Sequence, residues 1–126
     1  MRTRRKYEVL DLTREVAGVV ARARVAEGIC TVFVRHATAA IVINENADAG
    51  VRADIIAALD KLFPEGIWEH DRVDDNGAAH VKAAFLGPSE SVPVCDGRLL
   101  LGAWQGIALV ECDGPRQREI VVDVRA

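Results

Sequence analysis

The chain has 126 residues, half of them hydrophobic and 28% charged, with a net charge of −3. Those values fit a single globular domain over residues 1–126 and leave no room for a second core. An acidic balance argues against a general nucleic-acid binder, and no apolar run approaches the ~20 residues that cross a bilayer, so neither nucleic acid nor membrane is an expected partner.

The first residues carry a basic run, Arg2, Arg4, Arg5 and Lys6, expected to be a solvated segment entering a strand; they lack an apolar signal core. Residues 6–10 read as the first strand. Leu12, Val16, Val19, Val20 and Ala23 then recur at helical spacing, with Asp11 or Thr13 as N-cap and Gly28 as the stop. Ile29 to Val34, β-branched and aromatic, reads as a buried strand, and residues 38–44 read as its antiparallel neighbour, joined around Arg35–Ala37. The clearest helix follows. Val51, Ile55, Ala58, Leu59 and Leu62 share one face, Asp48 can cap it and Pro64 ends it. Residues 64–77 are polar and turn-rich and read as a loop, of a length that in a compact domain often serves function. A third helix is predicted from Ala78 to Leu86, with Val81 and Phe85 in its buried stripe, closed by Gly87-Pro88.

From there the pattern is strand. Ser91–Cys95 and Arg98–Leu101 flank Asp96-Gly97, a two-residue hairpin signal. Trp104–Cys112 and Gln117–Val124 flank Asp113-Gly114-Pro115, which predicts a second hairpin. The sum is an α+β domain: antiparallel sheets in a sandwich, with about three helices on one side. The chain has no βαβ alternation and no GxGxxG or Walker-type loop, which points away from the usual nucleotide-binding folds. Cys30, Cys95 and Cys112 are odd in number and lack CxxC spacing; none reads as a nucleophile, and a reducing, cytoplasmic compartment is the expectation.

Three histidines, His36, His70 and His80, stand at segment boundaries or among polar residues. Neutral imidazole binds Zn²⁺ and similar ions, and three such ligands leave a position for water or substrate. Their spacing matches no short zinc signature, so a shared metal site and three separate surface or capping histidines both stay open. If residues 78–86 are helical, His80 lies near the helix start and faces the loop carrying His70. The cluster Asn44-Glu45-Asn46-Ala47-Asp48 ends a strand. Glu45 there suits a general base, a metal ligand or the orienting partner of a histidine, whereas Asn46 and Asp48 serve equally as a hydrogen-bonded turn and helix cap. Trp104 is either core or a ligand platform, and Gln105 and Glu111, inside apolar strands, must find partners if buried. Arg116, on a tight turn, either grips a phosphate or carboxylate bidentately or is a surface charge beside Arg118 and Glu119.

Taken together, these segments resemble the YjbQ family, also called the secondary thiamine-phosphate synthase family, over nearly the whole chain. The resemblance is carried by His36-Ala-Thr-Ala-Ala and Ile43-Asn-Glu-Asn-Ala-Asp48, then by Ala79-His80-Val-Lys82 and Leu86-Gly-Pro-Ser89. Pro93 to Leu101, Leu101-Gly-Ala-Trp-Gln-Gly-Ile107, Glu111 and Asp113-Gly-Pro-Arg116 continue it. The family commonly reads His-Thr-Ser-Ala and Gly-Thr-Trp-Gln, where this chain has Ala37-Thr38 and Ala103; if the family's hydroxyl binds substrate or solvent, Ala103 lacks that contact, and the histidines are untouched.

The resemblance implies a YjbQ-like α+β domain assembled as a homotrimer, with a pocket near the subunit boundary in which His36, His70 and His80 surround a metal. It also implies a reaction that joins a pyrimidine diphosphate to a thiazole phosphate and releases pyrophosphate. On that view Glu45 and Arg116 are catalytic, and Asn44, Asn46, Asp48, Lys82, Trp104, Gln105 and Glu111 bind a phosphorylated small molecule. Arg116 and Lys82 would steady the departing diphosphate while Trp104 faces the ring. Three imidazoles suit Zn²⁺ or another transition metal better than Mg²⁺, although diphosphate chemistry commonly uses Mg²⁺; the synthase activity is then a secondary activity of the site. Two alternatives stand beside it: a metal-dependent hydrolase using metal-bound water with Glu45 as base, and a trimeric metal- or ligand-binding protein without turnover.

Overall fold

Residues 1–126 are described by a computed structural model, in which two antiparallel sheets face each other across a shared core. In chain order the elements are β1 (Glu8–Asp11), α1 (Thr13–Ala23), β2 (Gly28–Val34), β3 (Ala39–Asn44), α2 (Ala49–Leu62), α3 (Asp71–Asp74) and α4 (Gly77–Leu86). Then come β4 (Ser89–Cys95), β5 (Arg98–Leu99), β6 (Gly106–Glu111) and β7 (Ile120–Arg125). One sheet runs β1-β6-β3 and the other β5-β4-β2-β7. The α+β reading holds, with four helices rather than three because the 64–77 segment folds its own short turn, α3.

Two predicted pairings are corrected. β2 and β3 are adjacent in sequence yet lie in different sheets: β2 pairs with β4 and β7, and β3 pairs with β6. Likewise β6 and β7 do not form a hairpin around Asp113-Gly114-Pro115; that segment carries the chain from one sheet to the other. Both errors have one cause. A short polar connection signals a turn but not whether the next strand returns in-plane or crosses to the facing layer. The Asp96-Gly97 hairpin is confirmed, with Val94 opposite Leu99 and both turn residues at positive φ, 51° and 73°, as the tightest hairpin turns require.

Burial follows from strand alternation. Cys30, Val32 and Val34 of β2 point inward while Ile29 and Phe33 point out, so β2 is buried on one face only. The inter-sheet core joins these to Val92, Val94, Ala39, Ile41, Ile107 and Leu109, and Leu12, just before α1, inserts among them with Val16 and Val20 of the helix. By contrast β6 is buried along its whole length, being the middle strand of a sheet covered on both sides. A second core lies on its other face, where Ala40, Val110 and Cys112 meet Leu59 of α2 and Ala79 of α4. The layers are therefore sheet, sheet and helices; α2 and α4 cover one side as expected, and α1 belongs to the inter-sheet core.

The helices also correct two predicted faces. In α4 the buried residues are Gly77, Ala78, Ala79, Lys82 and Ala83, and Phe85 is 74% exposed, because small residues let this helix approach β3 closely. In α2 Ile55, Ile56, Leu59 and Phe63 pack inward, whereas Leu62 is exposed. Helix α1 stops at Arg24, in the left-handed region, and not at Gly28. Gly28 instead opens β2, where any Cβ would run into the carbonyl of Arg125 on β7.

Candidate functional site

The predicted residues fall at the two ends of one strand pair. β3 and β6 are in register from Ala39 opposite Glu111 to Asn44 opposite Gly106. Five strand steps separate those ends, about 17 Å at the antiparallel rise.

At the Ala39 end, Glu111 is fully buried and its partners surround it. Arg118 Nε donates to Oε1 at 2.8 Å and the guanidinium also reaches Oε2; the Thr3 hydroxyl donates to Oε1 at 2.8 Å and the Asp113 amide to Oε2 at 3.1 Å. Arg118, itself 2% exposed, donates further to the Thr38 carbonyl and hydroxyl. Burial alone pushes the Glu111 carboxyl up; the hydrogen bonds from Arg118, the Asp113 amide and Thr3 outweigh it and hold the pKa below the ordinary value. His36 sits beside this pair, its Nε2 accepting the Glu119 amide at 2.9 Å. Burial, then the positive charge of Arg118, lowers its pKa toward the neutral imidazole.

A polar chain runs onward from Glu111 to the other two histidines. Arg116 donates to the Asp113 carbonyl at 2.8 Å and to its carboxylate at 2.9 Å, and Asn76 Nδ2 donates to the same carboxylate oxygen at 2.9 Å. Asn76 begins α4, and one turn on His80 meets His70 edge to face, with ring centres 4.6 Å apart. Asp71 explains that approach. Its carboxylate takes the Trp68 amide at 3.1 Å and the Gly77 amide at 2.8 Å, closing the loop over the start of α4. Gly77 lies against Trp68, where a Cβ would overlap the indole stem. His70 Nε2 lies 3.5 Å from an Asp74 carboxylate oxygen.

At the Asn44 end, Asn46 is buried and donates to Asp11 at 3.2 Å and to the Ile107 carbonyl at 3.1 Å, while its own carbonyl takes the Arg52 guanidinium. Asp48 caps α2 by accepting the Gly50 amide at 2.8 Å. The Asn44 side chain accepts the Glu45 amide at 2.7 Å, and the Glu45 carboxylate has no partner within the chain. Trp104 is 78% exposed on the turn before β6, and Gln105 accepts the Gly102 amide at 2.8 Å in that same turn.

The structure thus brings together His70 with His80, and His36 with Glu111, near Arg116. Asn44, Glu45, Asn46, Asp48, Trp104 and Gln105 lie at the other end. The three imidazoles do not converge in one chain: three ligand-type side chains lie within 4.8 Å of one another only at Glu27, Cys95 and Asp96, beside the β4–β5 turn. Lys82 is not at a surface; it is 1% exposed, with its ammonium 2.5 Å from Asp60 and 4.1 Å from the centre of the Tyr7 ring. Sequence reasoning missed Arg118, Thr3, Thr38 and Asn76. Arg118 was findable, since it falls in phase with Ile120, Val122 and Val124, the inward positions of β7.

Comparison with known proteins agrees with this architecture. A family model described as "UPF0047 protein YjbQ-like" matches residues 1–126. A UPF0047 protein of Methanocaldococcus jannaschii is 40% identical over 124 residues, covering 98% of this chain and 89% of that one. The UPF0047 protein YugU of Bacillus subtilis is 40% identical over 121 residues, covering 94% and 89%. Among solved structures, a YbjQ-like protein of unknown function from Sulfolobus solfataricus P2 superposes with a TM-score of 0.95 at 41% identity, over 98% of this chain and 91% of that one. An uncharacterised conserved protein from Clostridium acetobutylicum also reaches 0.95 at 41% identity, over 99% and 96%. The family model spans residues 1–126 and the fold match 98% of them, and the chain belongs to the YjbQ-like UPF0047 family.

Proposed function

We propose that this chain acts as a homotrimeric, transition-metal-dependent enzyme on a phosphorylated small molecule, with thiamine-phosphate-synthase-type chemistry that joins a pyrimidine diphosphate to a thiazole phosphate and releases pyrophosphate. The supporting observation is the His70–His80 pair, with rings 4.6 Å apart and the Asp74 carboxylate 3.5 Å from His70. Imidazole is a donor for Zn²⁺ or a similar ion rather than Mg²⁺; the pair supplies two such donors, and the Asp74 carboxylate lies beside His70 without closing a three-ligand cluster. His36 offers only Nδ1, because its Nε2 already takes the Glu119 amide.

A bound ion would supply positive charge to a departing diphosphate. Arg116 adds to that charge from its turn, held in orientation by Asp113 while its side chain stays 54% exposed. Glu45, with no partner in its own chain, is the group suited to hold or move a proton. A site containing both Glu45 and the histidines needs a second copy, because the two ends of β3 are about 17 Å apart. Ile29, Phe33 and Val121, outward on the four-stranded sheet, are surface of the kind that assembly covers.

The test combines metal content with pyrophosphate release, on protein purified without an affinity tag. Wild type is expected to hold about one transition-metal ion per chain. His80→Ala loses the ion, and Arg116→Ala keeps it but slows pyrophosphate release at least tenfold or so. Full metal stoichiometry in both His70→Ala and His80→Ala removes the metal site. Metal-loaded wild type that releases no pyrophosphate from the two precursors overturns the synthase reading and leaves the hydrolase and the non-catalytic binding readings.

A further inference from the structure

A groove of about 530 Å³ lies between β1 and α2, away from all three histidines. Its volume is within the range of small-molecule sites, roughly 300–1,000 Å³. The floor is apolar, made by Val9 of β1 and by Ile56 and Ala53 of α2. The charges on its walls are unequal in their commitments. Glu8 already accepts the Arg4 and Arg5 amides at 2.6 and 3.0 Å, and Asp60 holds the Lys82 ammonium at 2.5 Å. The guanidiniums of Arg5 and Arg52 belong to no ion pair. Arg52 gives a hydrogen bond only to the Asn46 carbonyl, with the Asp11 carboxylate close enough to feel its charge. Tyr7 stands at the end where Asp60 lies, its hydroxyl turned to Glu65 and its ring against Lys82.

We infer that this groove binds a phosphate monoester with a flat apolar body. The body lies on Val9 and Ile56, and the phosphate takes the free donors of Arg5 or Arg52. Guanidinium is the side chain best matched to phosphate, since its planar fork donates two parallel hydrogen bonds to one anion. Each acid of the groove has one oxygen engaged, Glu8 through Oε2 and Asp60 through Oδ1, whereas Arg5 and Arg52 carry the positive charges without an ion-pair partner. Arg52 and Asp60 are eight residues apart on α2, about 12 Å of helix, which sets the length of the occupant. The groove needs neither metal nor second subunit, so it stands apart from the proposed reaction centre.

Titration with phenyl phosphate, phenol and inorganic phosphate, followed by calorimetry and by the methyl resonances of Val9 and Ile56, tests the assignment. Phenyl phosphate is expected to bind and shift those methyls, at least tenfold or so more tightly than either fragment. Ala53→Leu fills the groove with a good helix former and should abolish binding while leaving the fold intact; Arg5→Ala and Arg52→Ala together should weaken it about tenfold. His80→Ala should bind normally, which separates this groove from the histidine end. Equal binding of inorganic phosphate, or phenyl phosphate binding unchanged in Ala53→Leu, overturns the assignment. So does an Ala53→Leu chain whose oligomeric state changes, which would make the groove a contact between copies.

Discussion

Glu111 and Arg118 show how much a single buried pair can hold in place. Each is at most 2% exposed, and between them they tie β6, the start of β7, Thr3 near the N-terminus and Thr38 before β3. Removing either partner strands a charge in the interior, which costs about 3–5 kcal/mol. Arg118→Met and Glu111→Leu should each lower the unfolding free energy, read from urea titration, by that amount. The double variant should cost less than the sum, because no unpaired charge remains. The pair also sets an acid limit. The folded pKa of Glu111 lies below its unfolded value of 4.5, so its contribution is complete above that value and is lost as pH falls through the folded pKa. Urea midpoints between about pH 3 and 6 should fall toward acid in wild type, with a shallower slope in Glu111→Gln. At this scale Glu111 was legible, as an acid in an apolar strand that had to be satisfied. Its partner carried a single signal: Arg118 lies in a run of charged neighbours, and its phase with Ile120 marks it as inward.

At the scale of elements, several turn and cap signals were legible, whereas layer assignments, two helix faces and the end of α1 were not. Asp48 before α2, Asp96-Gly97 between β4 and β5, and His80 facing His70 all depend on contacts within a turn or two of the residue. The partners of β2 and β7 depend on which sheet the chain enters after Arg35–Ala37 and after Gly114, and nothing in those short connections states it. Two substitutions separate local from layered effects. Asp48→Ala removes one cap bond and should cost about 1 kcal/mol by thermal denaturation; a much larger loss of turnover than of stability would give Asp48 the substrate contact instead. Gly28→Ala forces a Cβ into the backbone carbonyl of Arg125, where no side chain can move aside. Separating β2 from β7 in this way should cost about 1–3 kcal/mol, and a wild-type urea midpoint in that variant would contradict the close approach of the two strands.

At the scale of the whole molecule, the distribution of candidate residues is itself informative. His36 and Arg116 stand at one end of the β3–β6 pair, the His70–His80 pair is joined to that end through Asn76 and Asp113, and Glu45 stands at the other end with an unengaged carboxylate. A strand pair cannot fold back to bring its own ends together, so cooperation between these groups requires the Glu45 end of one copy to face the histidine end of the next. Such a contact is heterologous, and a closed ring satisfies it once per subunit. Mixing inactive chains tests this directly. His80→Ala and Glu45→Gln assemblies are each expected to release no pyrophosphate, the first without metal and the second with it. Co-expressed, they form some boundaries in which an intact Glu45 meets an intact His80 from a different chain, so activity should partly return. If the two residues work within one chain, no mixed assembly contains both, and the mixture stays as inactive as its components. Recovery in the mixture but not in the doubly substituted chain alone would place the reacting groups on neighbouring subunits, and would explain why one chain leaves Glu45 unpaired.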